Sequence, residues 1–162
     1  MGNFIPDQMS VQTPQVPYFE DSKLHEVPGR GTEKSELQLQ NEIRNLMVRL
    51  QAANVYFTVG KYYSGNGIPD RHGYLMTFTL NGIPGRMEIA ALPLRKETDA
   101  RKRDALKQSL YLVRQWLEAE IMSVMYRPGA VPLVPYLIGQ GDKTVTELLA
   151  ERGDLPLLVS GR

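Results

Sequence analysis

Three adjacent cations, Arg101, Lys102 and Arg103, open the longest helical pattern in the sequence. The free backbone N–H groups and the dipole of a helix start favour acidic side chains, so each cation there costs about 0.3–1 kcal/mol at low salt. Residues that break a local rule without visible compensation often mark functional sites. The cluster therefore predicts a site that binds an anion.

A second group of polar side chains lies in the long connection SGNGIPDRHG, residues 64–73. Loops on a rigid scaffold often carry binding contacts, and this one is longer than a usual hairpin loop. On a helical wheel Arg103, Lys107, Tyr111 and Arg114 form one stripe, which suits a phosphate backbone with a base stacked on the tyrosine. The predicted nucleic-acid-binding residues are Arg95, Lys96, Arg101, Lys102, Arg103, Lys107, Tyr111, Arg114, Arg71 and His72.

The alternative for the same helix is a solvated face held by pairs such as Arg114 with Glu118. The formal net charge of the chain is only +1. That value excludes a binder that relies on bulk positive charge, so any affinity for phosphates must be local.

Catalytic chemistry has weaker support in the sequence. Asp70 and Glu88 would approximate a carboxylate pair for a divalent cation, but Ala90 stands where a lysine would be needed. No Gly-rich phosphate loop or nucleophile elbow is present, and the chain has only two histidines. The sequence favours a non-catalytic protein with no metal and no cofactor.

A different kind of site is suggested by the Pro-punctuated apolar run VPLVPYLIG, residues 131–139. It offers more apolar surface than a chain of this size easily hides. A second interpretation is therefore a protein-interaction or assembly subunit, an oligomer or an adaptor, that uses this run and the N-terminal arm. Its predicted partner-binding residues are Val131, Leu133, Tyr136 and Leu137. The methionines Met76, Met87, Met122 and Met125 suit either an adaptable docking patch or the core, and we predict the core.

Composition limits the location of the protein. The 162 residues are 42% hydrophobic and 23% charged, which is typical of one soluble domain. The absence of cysteine is easiest in a reducing compartment, so we expect a cytoplasmic protein. The N-terminus has no signal-peptide pattern and no stretch is apolar enough to span a bilayer, so we predict no membrane partner.

The elements that must position these residues follow from periodicity. Apolar residues at helical spacing predict one helix from Ser35 to about Asn54 and a longer one from about Thr98 to Arg127. Three β-prone runs between them, residues 55–63, 74–80 and 86–92, predict strands. Ser35 with Gln38 and Thr144 with Glu147 have capping-box spacing, and the second pair starts a short helix that ends at Gly153.

This order predicts an α+β two-layer sandwich. A three-stranded antiparallel sheet is covered on one face by two long helices (α-β-β-β-α), followed by an extended Pro-rich segment and a short C-terminal helix. The predicted division is a flexible N-terminal arm over residues 1–31, a core domain over 32–126, and an extension over 127–162 that packs on the core.

The order of elements over residues 35–126 resembles that of the double-stranded-RNA-binding domain, in which a basic cluster also opens the second helix. The segment ALPLRKETDARKRDALK lacks the glycine that this family has in the turn before that helix. The resemblance is therefore one of element order, and element order alone does not imply a function.

Overall fold

The structure is a computed structural model that describes residues 16–63, 65 and 67–151. Its helices and strands follow one another as the sequence predicts, so the α+β class is confirmed. Helix α1 spans Glu36–Arg49, and three strands follow. The remaining bounds are β1 Ala52–Tyr62, β2 Arg71–Leu80, β3 Ile83–Ala90, α2 Asp99–Tyr126 and α3 Val145–Glu151.

The predicted helix caps are present. The Ser35 hydroxyl accepts the N–H of Gln38 at 3.1 Å at the start of α1. At the start of α3 the Thr144 hydroxyl accepts the N–H of Glu147 at 3.2 Å, and the Glu147 carboxylate accepts the N–H of Thr144 at 2.7 Å. This reciprocal pair satisfies two N–H groups that a helix start leaves free.

The first helix ends earlier than the sequence predicts, at Arg49 instead of about Asn54. Gln51 has a left-handed backbone conformation with a φ of 70°, which a right-handed helix does not accommodate. The strand then begins at Ala52, with a register irregularity before Tyr56. The extra turn that we assigned to α1 is therefore the start of β1.

The sheet has the order β1-β2-β3 with antiparallel pairs. Asn81 and Gly82, both with positive φ, form a two-residue turn between β2 and β3, as the sequence predicts. One face of the sheet turns toward the helices and buries Tyr74, Met76 and Phe78. The opposite face carries alternate residues such as Thr58 and Thr77, as strand geometry requires.

Helices α1 and α2 lie side by side on one face of the sheet and run in the same direction. Glu36 lies near Arg103, Glu42 contacts Arg114, and Leu50, next to the end of α1, lies near Val124. The core between the helices and the sheet is closely packed. Its most deeply buried side chains are Leu39, Ile43, Met47, Met76, Leu110 and Leu117.

The described part of the N-terminal segment, residues 16–31, packs on the core. Phe19 is only 4% exposed, and its N–H donates to the carbonyl of Pro93 at 2.8 Å. The Arg30 guanidinium lies 4.6 Å from the centre of the Phe19 ring and donates to the Phe19 carbonyl at 2.6 Å. Further along, the amide of Gln108 on α2 donates to the Pro28 carbonyl at 3.2 Å. Residues 1–15 of the predicted arm lie outside the described residues.

The segment after α2 closes the free edge of β3. The Ile138 N–H donates to the Pro84 carbonyl at 2.8 Å, and Leu137 forms an isolated bridge with Gly85. The Arg86 guanidinium pairs with the Glu147 carboxylate of α3 at 2.8 Å. This backbone bridge, the ion pair, and a hydrogen bond from Arg86 to the Asp142 carbonyl at 3.0 Å therefore attach the segment to the sheet. Residues 152–162 of the predicted extension lie outside the described residues.

Candidate functional site

The basic start of α2 lies against the N-terminal segment, which supplies two carboxylates. The Arg101 guanidinium lies 3.3 Å from a Glu20 carboxylate oxygen. The same carboxylate accepts the backbone N–H groups of Arg95 and Lys96, at 3.0 and 3.1 Å. The Arg95 side chain pairs with both carboxylate oxygens of Asp21, the shorter distance being 2.5 Å. Two of the predicted phosphate contacts are therefore used within the chain.

These contacts change the pKa of the Glu20 carboxyl. Burial raises this pKa, whereas the N–H groups of Arg95 and Lys96 and the charge of Arg101 lower it, and the net result is a pKa below its ordinary value. Glu20 therefore stays charged where it holds the turn before α2. Of the three cations at the start of α2 that seemed uncompensated in the sequence, Arg101 is paired with Glu20, which lies 81 positions earlier.

The loop end of the β1–β2 hairpin contacts Glu97, which lies just before the start of α2. The His72 ring nitrogen Nε2 lies 2.6 Å from the Glu97 carboxylate. This hydrogen bond lowers the pKa of the Glu97 carboxyl, and the nearby charges of His72, Lys61 and Lys102 lower it further. The loop end of the hairpin and the start of α2 thus lie close together, and the Glu97 carboxylate between them offsets part of their positive charge.

The Arg71 side chain makes its hydrogen bonds within the sheet. Its guanidinium donates to the carbonyls of Ala91 at 2.7 Å and Ala90 at 3.0 Å, which ties the start of β2 to the end of β3. Burial lowers the pKa of this guanidinium. The side chain is thus held against the backbone, where it makes two hydrogen bonds.

The stripe predicted along α2 is broken by internal contacts. The Arg114 guanidinium pairs with Glu42 of α1 at 3.2 Å, and not with Glu118 as the alternative interpretation has it. It also lies 4.9 Å from the centre of the Tyr111 ring. Tyr111 also packs so closely on Gly29 that a β-carbon there would lie 2.6 Å from the ring. Arg114 and Tyr111 therefore join the two helices and the N-terminal segment.

Five of the predicted cations make no ion pair within 4.0 Å in the part of the chain that the structure describes: Arg71, which donates to backbone carbonyls instead, and Lys96, Lys102, Arg103 and Lys107. Lys102 and Arg103 line an open cleft, which we call the helix-start cleft, with Glu36, Val59, Asp99 and Leu106. Its charges are mixed, two cations beside two carboxylates. The cleft has the groups to contact a phosphate but not a strongly positive character.

The predicted partner-binding residues divide in a similar way. Leu133 is buried, and Tyr136 packs edge-on against Trp116 with ring centres 5.7 Å apart. Leu137 is partly buried and pairs with the edge of β3. Only Val131 is largely exposed. Part of the Pro-rich run therefore packs on the chain's own core and on the edge of β3, through Leu133, Tyr136 and Leu137.

An apolar surface that sequence reasoning underrated lies at the end of α2. We call it the α2-end face and define it by Met122, Met125, Tyr126 and Val131, which are 53%, 70%, 77% and 59% exposed. Met76 and Met87 lie in the core as predicted, but Met122 and Met125 do not. The available signal was helical spacing, since Met122, Met125 and Tyr126 lie off the stripe of Leu117, Ile121 and Val124.

No protein-family model, no curated protein and no solved structure matches the chain. None of the helices in the described part combines the length and the hydrophobicity that crossing a bilayer requires. Within the same residues no group of three or more His, Asp or Glu side chains has the arrangement of a metal site. Any functional conclusion must therefore come from the surfaces themselves.

Proposed function

We propose that this protein is a non-catalytic interaction subunit that binds another protein through the α2-end face. The observation that carries the proposal is the exposure of Met122, Met125 and Tyr126 on the last two turns of a well-formed helix. Single exposed apolar residues are common on protein surfaces, but neighbouring ones at i, i+3 and i+4 form a contiguous patch. Such patches are typical of protein-binding surfaces.

A groove beside the face supports the same proposal. It runs between the end of α1, the β2–β3 turn and the segment after α2, and its volume is about 350 Å³. Leu50, Leu80, Val124, Val131 and Pro132 supply most of its apolar lining. A bulky apolar side chain of a partner fits such a groove, because buried apolar anchors in pockets carry most of the energy of an interface.

The chemistry of the face favours an apolar helix as the partner element. Met122 and Met125 are flexible and polarisable and adapt to differently shaped side chains. Tyr126 adds a large ring with a polar end, a residue type enriched where proteins meet. The helical part of the face covers little more than one turn and presents three apolar side chains, which suits the few anchor residues that an amphipathic helix presents on one side.

The test exchanges two apolar contacts for charges. The double variant Met122→Glu, Tyr126→Lys should keep the melting temperature within about 2 °C, because neither side chain is part of the core. The partner is isolated by cross-linking to the wild-type chain and purified, and its affinity for both chains is measured by calorimetry. We expect the double variant to weaken this affinity at least tenfold, roughly 1.4 kcal/mol.

Leu24→Glu is the matched control, since Leu24 is 83% exposed and lies in the N-terminal segment, outside the α2-end face. This variant should bind the partner as the wild type does. If the double variant and the control bind equally well, the α2-end face is not the interface.

Nucleic-acid binding stays a second proposal, which one specific observation favours. His72 at the start of β2 lies 2.6 Å from Glu97, just before α2, and Lys61 at the end of β1 pairs with His72 in the sheet, so the loop end of the hairpin and the start of α2 can contact one ligand together. Tyr63, next to Lys61, is highly exposed and offers a ring for stacking on a base. This site would contact phosphates without reading sequence.

The charge reversals that test this second proposal are Lys102→Glu and Arg103→Glu, made together. Arg101 is left unchanged because its pairing with Glu20 stabilises the fold. If the site binds phosphates, the double reversal should lower the slope of log affinity against log salt by about 2, measured by fluorescence anisotropy with an oligonucleotide. An affinity that is absent in the wild type, or unaltered by the reversal, would count against nucleic-acid binding.

A further inference from the structure

One edge of the sheet is covered by another segment of the chain, and the other edge has no paired strand among the described residues. The segment after α2 covers the edge of β3 through the contacts of Leu137 and Ile138. Among the described residues no strand pairs with the outer edge of β1. In the irregular part of β1 the Val55 carbonyl accepts the Nε–H of Arg44 at 3.3 Å. Beyond it, residues 56–62 leave a stretch of about 20 Å open for pairing.

Gly60, in the middle of this open stretch, is a glycine that neither its backbone conformation nor crowding requires. Its φ is not positive, and a β-carbon placed on it would meet no atom of the described residues within 4 Å. Glycine inside a strand costs about 0.5–1 kcal/mol relative to alanine. A strand glycine without strain or crowding often marks a place where another backbone or a ligand approaches closely.

We propose that two copies of this chain associate by antiparallel pairing of β1 with β1 about a two-fold axis at Thr58. The resulting sheet has six strands, and the contact is separate from the α2-end face. In this register Tyr56 of each copy lies opposite Gly60 of the other, so the tyrosine ring covers the glycine. Phe57 lies opposite Val59, an aromatic and β-branched pair of the kind that stabilises sheets.

In this register, the residues that lie opposite one another belong to the same face of the sheet. Tyr56, Thr58 and Gly60 share the face of the sheet that the helices leave open, whereas Phe57 and Val59 share the face toward α1. Tyr56, Thr58 and Val59 are all exposed in one copy. The pairing therefore covers apolar side chains on both faces and places Thr58 against itself, a favourable cross-strand pair.

The flank of α1 extends the same surface. Leu37, Arg44 and Val48 lie on one side of the helix at i, i+7 and i+11, and Arg44 leans over Phe57 with its guanidinium 5.2 Å from the ring centre. Leu37 and Val48 are both largely exposed on that side. A second copy paired along β1 brings its own α1 to the same side, where these residues supply apolar contact.

The test introduces the same charge at position 58 of both copies, on the two-fold axis. Thr58→Glu should raise the dissociation constant of the dimer at least tenfold in sedimentation equilibrium, because the two carboxylates face one another. Thr77→Glu is the matched control, since Thr77 shares that face but lies on the central strand, opposite Arg86. It should dimerise like the wild type. Mixing Thr58→Glu with Thr58→Lys should restore association as a heterodimer.

The absence of cysteine in the chain allows a direct check of the register. Thr58→Cys should form a disulfide-linked dimer under mild oxidation, whereas Thr77→Cys should not. Tyr56→Cys should cross-link with Gly60→Cys when the two are mixed, but not when either is alone. A wild type that stays monomeric at about 100 μM, or a dimer that Thr58→Glu leaves intact, overturns the proposal.

Discussion

Replacing Gly73 with alanine is expected to lower the free energy of unfolding by about 3 kcal/mol. A β-carbon at position 73 would lie 2.1 Å from the carbonyl oxygen of Ile89 and 2.7 Å from the ring of Tyr62. Neither neighbour is free to move. The Ile89 carbonyl belongs to the β2–β3 pair, and the Tyr62 hydroxyl donates to the Tyr74 carbonyl at 2.6 Å.

The control lies directly opposite in the sheet, where Gly60 pairs with Gly73. The added methyl group of Gly60→Ala meets no atom of the described part of the chain within 4 Å, so in the monomer it should be neutral or stabilising by about 0.5–1 kcal/mol. Urea unfolding of both variants at low micromolar concentration separates the two cases. Equal stability of the two variants would mean that Tyr62 does not lie over Gly73.

The second large effect is expected for Phe19→Ala, which should cost about 3–5 kcal/mol. Phe19 is buried in the core although it belongs to a segment that has no helical or strand periodicity. Removing its ring also removes the surface on which the Arg30 guanidinium lies. The N-terminal segment should then detach, and with it Glu20 and Asp21, the carboxylates that pair with Arg101 and Arg95.

Leu24→Ala serves as the control for this prediction, because Leu24 is exposed in the same segment and its truncation should change stability by less than about 0.5 kcal/mol. Limited proteolysis provides an independent measure. Cleavage within residues 16–31 should be fast in Phe19→Ala and slow in the wild type and in Leu24→Ala. A Phe19→Ala chain as stable and as resistant as the wild type would show that this segment is not part of the folded unit.

The fold was largely predictable because its signals are local. The apolar repeat of α2, the Ser35 cap and the Asn81–Gly82 turn each depend on residues within a few positions of one another. The end of α1 was not predictable, since no local pattern in the sequence marks the left-handed conformation of Gln51. Local patterns therefore specified the elements but not this boundary.

The site was harder to predict because its contacts are distant in sequence. Arg101 looked uncompensated because Glu20, which lies beside it in the structure, is 81 positions away. Arg114 was assigned to Glu118 on its own helix but pairs with Glu42 on the other. A helical wheel shows which residues share a side, but not which side a second element covers. For the same reason Met122 and Met125 were expected in the core.

These pairings alter the balance between the two proposed functions. The N-terminal segment supplies two carboxylates that pair with Arg95 before α2 and with Arg101 in its first turn. Glu97 pairs with His72 at the loop end of the β1–β2 hairpin. Positive charge that is already paired contributes less to binding a phosphate, because the internal pair must be broken or shared. The α2-end face has no such competitor among the described residues, so binding a protein there costs no internal contact.

The most direct test of the proposed function is a comparison of two photo-cross-linkable chains in cells of the organism that encodes the protein. One carries benzoylphenylalanine in place of Met122 on the α2-end face, and the other carries it in place of Arg103 in the helix-start cleft. We predict a discrete, protease-sensitive adduct from position 122 that disappears when Tyr126→Lys is added, and no nuclease-sensitive adduct from position 103. A nuclease-sensitive adduct from position 103, with no protein adduct from position 122, would contradict the account.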